Sequence, residues 1–271
     1  MSELLVFAAF LSFIIFFALG LNRKYAAVAG WSFIVLNLWS ELPALFLEAN
    51  FLYPVLAFLS LPFLVITTGY LLHDDPVCLR LSRSAAIATL IYVPFAVIQP
   101  LHDLLIVTVV GQALAFMTLL GHHPQLYAWD VITENGFYNQ IILGCTGIFP
   151  IAMLLGIALG SPALSPRQIF RSSLLVVAVI WILNLLRVSF VFIAVSDGWF
   201  AGFPDPRPGA VSDANFFWAH NVFAELLAIV VLLLLVRVLI RIIPDLSAFA
   251  RALIDNYRQA SSRFTGTIHH A

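Results

Sequence analysis

Charge is the scarcest property of this chain. Of its 271 residues only 10% are Asp, Glu, Lys or Arg, against about 25% in an ordinary soluble domain. Thirteen Lys and Arg oppose fourteen Asp and Glu, a net charge of −1. A soluble domain of this size cannot cover its surface with so few charges, and no basic face is left for nucleic acid. Cysteine is scarce too, with Cys78 and Cys145 alone, which excludes a disulfide scaffold. No CxxC pair is present for quinone-linked disulfide chemistry. An HExxH zinc helix and a GxSxG nucleophile elbow are both missing. His122-His123 stands without matching ligands, so no metal and no cofactor are expected. No low-complexity tract occurs. The first twenty residues lack a basic n-region and a small-x-small cleavage site, and read as a retained first span.

What fills the chain instead is hydrocarbon: 62% of residues are hydrophobic, against about 45–50% normally. The apolar runs are long and unbroken. A transmembrane strand would alternate over about ten residues, whereas a spanning helix needs about 20 apolar ones. The expected fold class is an all-α polytopic membrane protein. Its apolar segments lie at 4–21, 26–47, 51–72, 85–100, 104–120, 147–160, 172–195 and 217–240, about eight helices making seven or eight crossings. Residues 1–244 form the multi-pass domain. Residues 245–271 form a polar, Arg-bearing cytoplasmic tail, helical but frayed.

The cations come in groups: Arg23/Lys24, Arg80/Arg83, Arg167/Arg171, then Arg237, Arg241, Arg251, Arg258 and Arg263. By the positive-inside rule these face the cytoplasm. No Lys or Arg occurs between Arg83 and Arg167. The segments 41–50, 101–144 and 197–216 carry Glu41, Glu48, Asp103, Asp130, Glu134, Asp197, Asp205 and Asp213 against a single Arg207, and face outside. Two topologies follow. Either one of the helices within 85–120, joined by residues 99–103, is re-entrant or interfacial, or the Arg23/Lys24 and Arg80/Arg83 groups break the rule. Both put 121–144 and 197–216 outside. Asn135-Gly136, flanked by β-formers, predicts a short extracytoplasmic hairpin before span six.

Polar groups in hydrocarbon need partners or work. Cys145 sits in Leu143-Gly144-Cys145-Thr146-Gly147 at the outer end of span six, with Pro150 in the following helix's first turn. The two glycines let another backbone approach, and a helix N-terminus or a cation activates a thiol; the competing reading is a small buried hydrophobe. Cys78, in the Arg80/Arg83 loop, is read as the latter. Arg187 stands inside an apolar span, about 12 Å below the outer end at 1.5 Å per residue. Asn184 shares its face and can orient it. His220 and Asn221 open span eight. As neighbours on a helix their side chains diverge, so one of the two is expected to face the site. Glu225 shares a face with Asn221. A thiol, a cation and a His or Asn on consecutive spans are the parts of a cysteine acyl-transfer site. Glu41, His102, Asp103, Thr108 and Gln112 are weaker candidates, read as interhelical hydrogen-bonding groups.

Gly144-Cys145-Thr146-Gly147, then Asn184-x-x-Arg187 in the next span, then Ala219-His220-Asn221 opening the last, resembles the exosortase/archaeosortase family. The likeness is closest to the archaeosortase branch, in which Cys-Thr-Gly-Ile is followed by a Trp-Ile-Leu-Asn-x-x-Arg helix. Thr108-Val-Val-Gly-Gln112 and Ile91-Tyr-x-Pro94-Phe95 belong to the same likeness, which runs from about residue 84 to 240. The resemblance implies a membrane-embedded cysteine transpeptidase with Cys145 as nucleophile, Arg187 as its cationic partner and His220 or Asn221 as the third residue, supported by Thr146 and Asn184. It implies substrates that are membrane-anchored proteins with a C-terminal sorting signal: a short motif, a transmembrane helix and a basic cluster. Cleavage on the outer face would be followed by transfer to a membrane lipid. The competing reading is a lipid or small-anion transporter built on Arg187.

Overall fold

The computed structural model describes all residues except 1, 20–22, 48–51, 205–213 and 269–271. Glu48, Asp205, Arg207, Asp213, His269 and His270 therefore lie outside the described residues. In chain order the helices are α1 (Ser2–Ala18), α2 (Arg23–Ser40), α3 (Leu42–Leu47), α4 (Leu52–Leu72), α5 (Pro76–Val97) and α6 (Gln99–Leu119). Three strands follow, β1 (Gln125–Ala128), β2 (Val131–Glu134) and β3 (Phe137–Gln140), and a 3-10 turn over Leu143–Cys145. The chain continues with α7 (Ile148–Leu159), α8 (Pro166–Ser196) and the short α9 (Ala214–Phe216). A π-helical stretch over Phe217–Ala224 leads into α10 (Glu225–Ile242), and α11 (Asp245–Ile268) follows.

The chain is a largely helical, multi-pass membrane protein. Among the described residues five helices are long and apolar enough to cross a membrane: Pro54–Leu72, Pro76–Val97, Gln99–Leu119, Pro166–Ser196 and Ala214–Ile242. Leu4–Ala18 and Ile148–Leu159 are apolar but shorter. The count of eight is thus not reproduced by length and composition. The apolar run 26–47 breaks at Glu41, because Pro43 is tolerated only in a helix's first turn and so starts α3.

Local capping moves other boundaries. The Cys78 backbone N–H donates to Asp75 Oδ1 at 2.8 Å, and Pro76 takes the first helical position. This cap starts α5 at Pro76, so Cys78, Arg80 and Arg83 lie on a helix and not in a loop. Ile98 (φ −90°, ψ 99°) separates α5 from α6, with Pro100 in the opening turn. Residues 99–103, expected as a linker, are that turn. At α8 the Ser165 N–H donates to Gln168 Oε1 (3.0 Å) and the Gln168 N–H to Ser165 Oγ (3.3 Å), a reciprocal capping box ahead of a helix about 46 Å long.

The chain divides into two compact units. The first comprises 1–93, 152–172 and 238–271. Its core joins Phe13, Leu71, Cys78 and Ala86. Trp31 Nε1 donates to Ser82 Oγ at 3.0 Å. The tail expected to fray is a docked helix here. Leu246, Phe249, Leu253 and Tyr257 recur every three or four residues along α11, an amphipathic stripe that needs a partner. The Tyr70 hydroxyl donates to the Asn256 carbonyl (2.9 Å), the Tyr257 hydroxyl shares a 2.5 Å bond with Thr67 Oγ1, and the Phe63 and Tyr257 rings stack at 6.0 Å. Burial pushes the Tyr257 phenol up to about 12 from its ordinary 10.0. The undocked helix therefore forms tyrosinate first. The contribution of Tyr257 to docking is fully present below pH 10.0 and is lost as pH rises towards about 12. An ultraviolet difference titration of wild type against Tyr257→Phe should show this phenol ionising near pH 12, whereas a midpoint near 10 would mean α11 is undocked.

Small residues let backbones meet in the same unit. A Cβ added at Gly156 would lie 2.8 Å from Ala88 Cβ and would fall on the Ser84 carbonyl, and one at Gly160 would fall on Ser84 Oγ. Gly156-x-x-x-Gly160 thus seats α7 against α5 in the manner of small-residue membrane interfaces. Gly156→Ala is expected to destabilise by about 1–3 kcal/mol, the usual cost of overpacking. A thermal-unfolding midpoint in detergent unchanged from wild type would show that this contact carries no stability.

The second unit comprises 94–151 and 173–237. In place of a two-stranded hairpin it carries a three-stranded antiparallel sheet in the order β1-β2-β3. Glu134 pairs with Phe137 around Asn135 (φ 52°) and Gly136 (φ 80°), the two left-handed residues that a tight primed turn needs. Ile132 of the central strand is fully buried with Met117 of α6 and Phe192 of α8. The Ile141 N–H donates to the Asp130 carbonyl at 2.8 Å, so the strand leads directly into the turn that carries Cys145.

Candidate active site

Cys145 ends the 3-10 turn, three residues before α7 begins. Its N–H donates to the Ile142 carbonyl at 2.8 Å. Thr146, fully buried, donates from Oγ1 to the Leu143 carbonyl (2.7 Å) and accepts from the Ile148 N–H (3.4 Å). That hydroxyl stitches the turn to the first turn of α7. The flanking glycines have unequal duties. Gly144 has nothing closer than 3.9 Å to an added Cβ. Gly147 adopts φ +77°, and an added Cβ would meet Asn184 Cβ at 3.1 Å. Gly147 alone is the close-approach glycine, and Asn184 is what approaches.

Asn184, 7% exposed, donates from Nδ2 to the Cys145 carbonyl at 2.8 Å across 39 residues of sequence. It therefore orients the cysteine turn, where the sequence suggested it would orient Arg187. Cys145 is half-buried and, like Trp181 and Leu185, packs against the core that includes Val188. No hydrogen bond to its sulfur occurs among the described residues.

Arg187 lies one turn beyond Asn184 on α8. Its Nη2 sits 2.9 Å from His220 Nε2, and His220 Nδ1 sits 2.7 Å from Asn221 Oδ1. The guanidinium has only donors, so Nε2 must accept. The ring proton then resides on Nδ1 and is donated to Asn221. This fixes a neutral tautomer with both ring nitrogens engaged. The Phe216 ring stacks on the imidazole at 4.9 Å and 12°. His220 and Asn221 thus work in series, although a regular helix would point them apart. The physical reason is the π-helical stretch 217–224: its i→i+5 bonding widens the turn, as such bulges do at functional sites. Glu225, the first residue of α10, lies within electrostatic range of Arg187 without a direct ion pair.

The weaker candidates are mostly engaged locally. Thr108 Oγ1 bonds the Leu104 carbonyl of its own helix, and Gln99 Nε2 and His102 Nδ1 both reach Asp103 Oδ1. Glu41 sits between α2 and α3. Gln112 is different: its Oε1 accepts from Trp181 Nε1 at 2.8 Å and ties α6 to the turn of α8 that precedes Asn184. Sequence reading had Trp181 only as part of the family motif, without its link to Gln112, and missed the role of Phe216. Their signal was their position, three residues before Asn184 and four before His220. His122 Nδ1 lies 3.7 Å from Glu134 Oε2, and no group of three His, Cys, Asp or Glu side chains fit for a metal occurs among the described residues.

Fold and site together define a polytopic membrane protein in which a cysteine turn, a membrane-helix arginine and a histidine are held in one compact unit. The chain is 26% identical over 257 residues to archaeosortase A of Natronomonas pharaonis, covering 86% of this chain and 80% of the relative. It is 27% identical over 210 residues to archaeosortase A of Haloferax volcanii, covering 66% of this chain and 67% of the relative. No family model and no solved structure matches. The chain is thus similar over most of its length to archaeosortases, the family its motifs resemble.

Proposed function

We propose that this protein is a membrane-embedded cysteine transpeptidase that cleaves the C-terminal sorting signal of membrane-anchored proteins on the outer face and transfers them to a membrane lipid. The observation that carries the reading is the pair of long-range hydrogen bonds from one turn of α8. Asn184 holds the Cys145 carbonyl and Arg187 holds His220. The substrate's own transmembrane helix would deliver the scissile bond at high effective concentration.

In the proposed sequence the Cys145 thiolate attacks the scissile carbonyl, and Arg187 stabilises first the thiolate and then the tetrahedral oxyanion in a medium of low dielectric. Collapse breaks the C–N bond. The leaving amine takes up a proton, and an acyl-enzyme thioester remains. A nucleophilic headgroup of the acceptor lipid attacks the thioester, loses its proton and returns the cysteine. His220 serves in this reading as the residue that positions Arg187, since its Nε2 lone pair is already taken. The general-base role suggested by sequence would require Arg187 to release it. Asn221 sets the tautomer.

The test is mass spectrometry of membrane-protein C-termini in the native host, wild type against Cys145→Ala at matched expression. A set of proteins that keep their hydrophobic C-terminal tail only in the variant is the expected result. The mass added to the new C-terminus in wild type identifies the acceptor. Unchanged C-termini would remove the sorting reading and return attention to Arg187 as an anion-transport site.

A further inference from the structure

The cations near the ends of α2 and α5 served the sequence only as topology markers. In the first unit they converge. Arg23, Arg80 and Arg83 line one cavity of about 780 Å³, whose apolar wall includes Phe16 and Phe17 of α1 and Phe249 of α11. None of its lining residues belongs to the candidate active site.

The three arginines are not equivalent. Arg80 is spoken for: Nη1 lies 2.7 Å from Asp245 Oδ2, Nη2 donates to Ser161 Oγ at 2.5 Å, and its guanidinium covers the Phe249 ring at 4.2 Å. Among the described residues Asp245 is also the one carboxylate in the cavity lining, and Arg80 uses it. Lys24, beside Arg23 in sequence, is likewise matched, by Asp74 at 2.6 Å. Arg23 and Arg83 have no ion-pair partner among the described residues, and both are exposed. One cavity therefore presents two uncompensated guanidiniums beside an aromatic wall. Guanidinium forks match phosphate oxygens in geometry as well as charge. The volume lies in the range of small-molecule sites, about 300–1,000 Å³. A free inorganic anion would use the charge but not the aromatic wall.

We propose that this cavity binds the phosphate headgroup of an anionic membrane lipid, with the phosphate between Arg23 and Arg83 and the start of its chains against Phe16 and Phe17. Basic pockets between membrane helices recognise anionic headgroups in this way. Such a lipid would also rest against Phe249, so that its occupancy favours the docked state of α11.

The experiment is calorimetric titration of the full-length protein in uncharged detergent. The probes are dioctanoyl phosphatidylglycerol, the uncharged dioctanoylglycerol with the same chains, and inorganic phosphate. Wild type is expected to bind the phospholipid at least about tenfold more tightly than dioctanoylglycerol. The Arg23→Gln/Arg83→Gln variant, which leaves the Arg80–Asp245 pair intact, is expected to lose that preference. Arg83→Lys should retain most of it. Equal binding of charged and uncharged lipid, or a preference that survives in the double variant, overturns the proposal. Inorganic phosphate that competes at concentrations equal to the phospholipid also overturns it, by making free phosphate the ligand. Should the double variant fail to fold, Arg83→Gln alone, at an exposed side chain, is expected to weaken phospholipid binding several-fold, and no change there is again a refutation.

Discussion

Cys145→Ala is expected to lower the rate of sorting-signal cleavage by about 10⁴-fold or more, at least ~5.5 kcal/mol of transition-state stabilisation. Loss of a nucleophile does not slow a two-step acyl transfer; it removes the route. Cys145→Ser should be almost as impaired, because a hydroxyl is far less acidic than a thiol and no described side chain bonds to this position to activate one. Both variants should fold. The hydrogen bonds made at residue 145 come from its backbone, to Ile142 and from Asn184, and neither substitution touches them. Thermal stability should change by about 1 kcal/mol or less. The check is single-turnover cleavage of a purified substrate carrying its membrane helix, alongside an unfolding curve in the same detergent. Cleavage by Cys145→Ala at near wild-type rate would exclude the nucleophile assignment outright.

Arg187 carries the second large effect. Arg187→Gln is expected to lower kcat by about 10²–10³-fold with little change in KM, the signature of a group that acts on transition-state charge. Arg187→Lys should fall nearly as far, because a single ammonium lacks the fork that reaches His220 and the oxyanion together. The role of His220 is separable by the same assay. A glutamine at 220 can still offer an oxygen to the Arg187 guanidinium but cannot act as a base. As a positioning residue, His220→Gln should remain within about tenfold of wild type, while His220→Ala loses roughly 10²-fold. As a general base, both should lose a similar 10²–10⁴-fold. The pH profile gives an independent reading: with His220 in a positioning role, its loss removes no limb of the profile.

The residues of the candidate site stood out in the residue order. An arginine inside an apolar run and a Gly-Cys-Thr-Gly turn are each costly to keep in hydrocarbon, so they stand out without any structure. Asn184 was visible as well, on the Arg187 face, but its partner was not. A side-chain amide on α8 reaches the Cys145 carbonyl only because Gly147 takes a left-handed φ and presents no Cβ. That His220 and Asn221 join in one hydrogen-bonded chain with Arg187 was unreadable for a similar reason. Residue spacing assumes a regular helix, and the π-helical stretch is a local departure that no periodicity announces.

Fold boundaries divide in the same way. Long apolar runs and a 10% charge content determined by themselves that the chain is helical and lives in a bilayer, since hydrocarbon requires every backbone group to be satisfied within its own element. Helix ends depended on capping atoms: Asp75 and the Ser165–Gln168 box start helices earlier than hydropathy alone suggests. The tertiary structure decided everything that depends on distance across the sequence. It turned a polar tail into a docked α11, joined a central β2 to the packing of α6 and α8, and brought Arg23 and Arg83 to one cavity. Composition measures what each residue costs in its solvent. Only the fold sets which polar groups can meet, because hydrogen bonds and ion pairs require contact within about 3–4 Å.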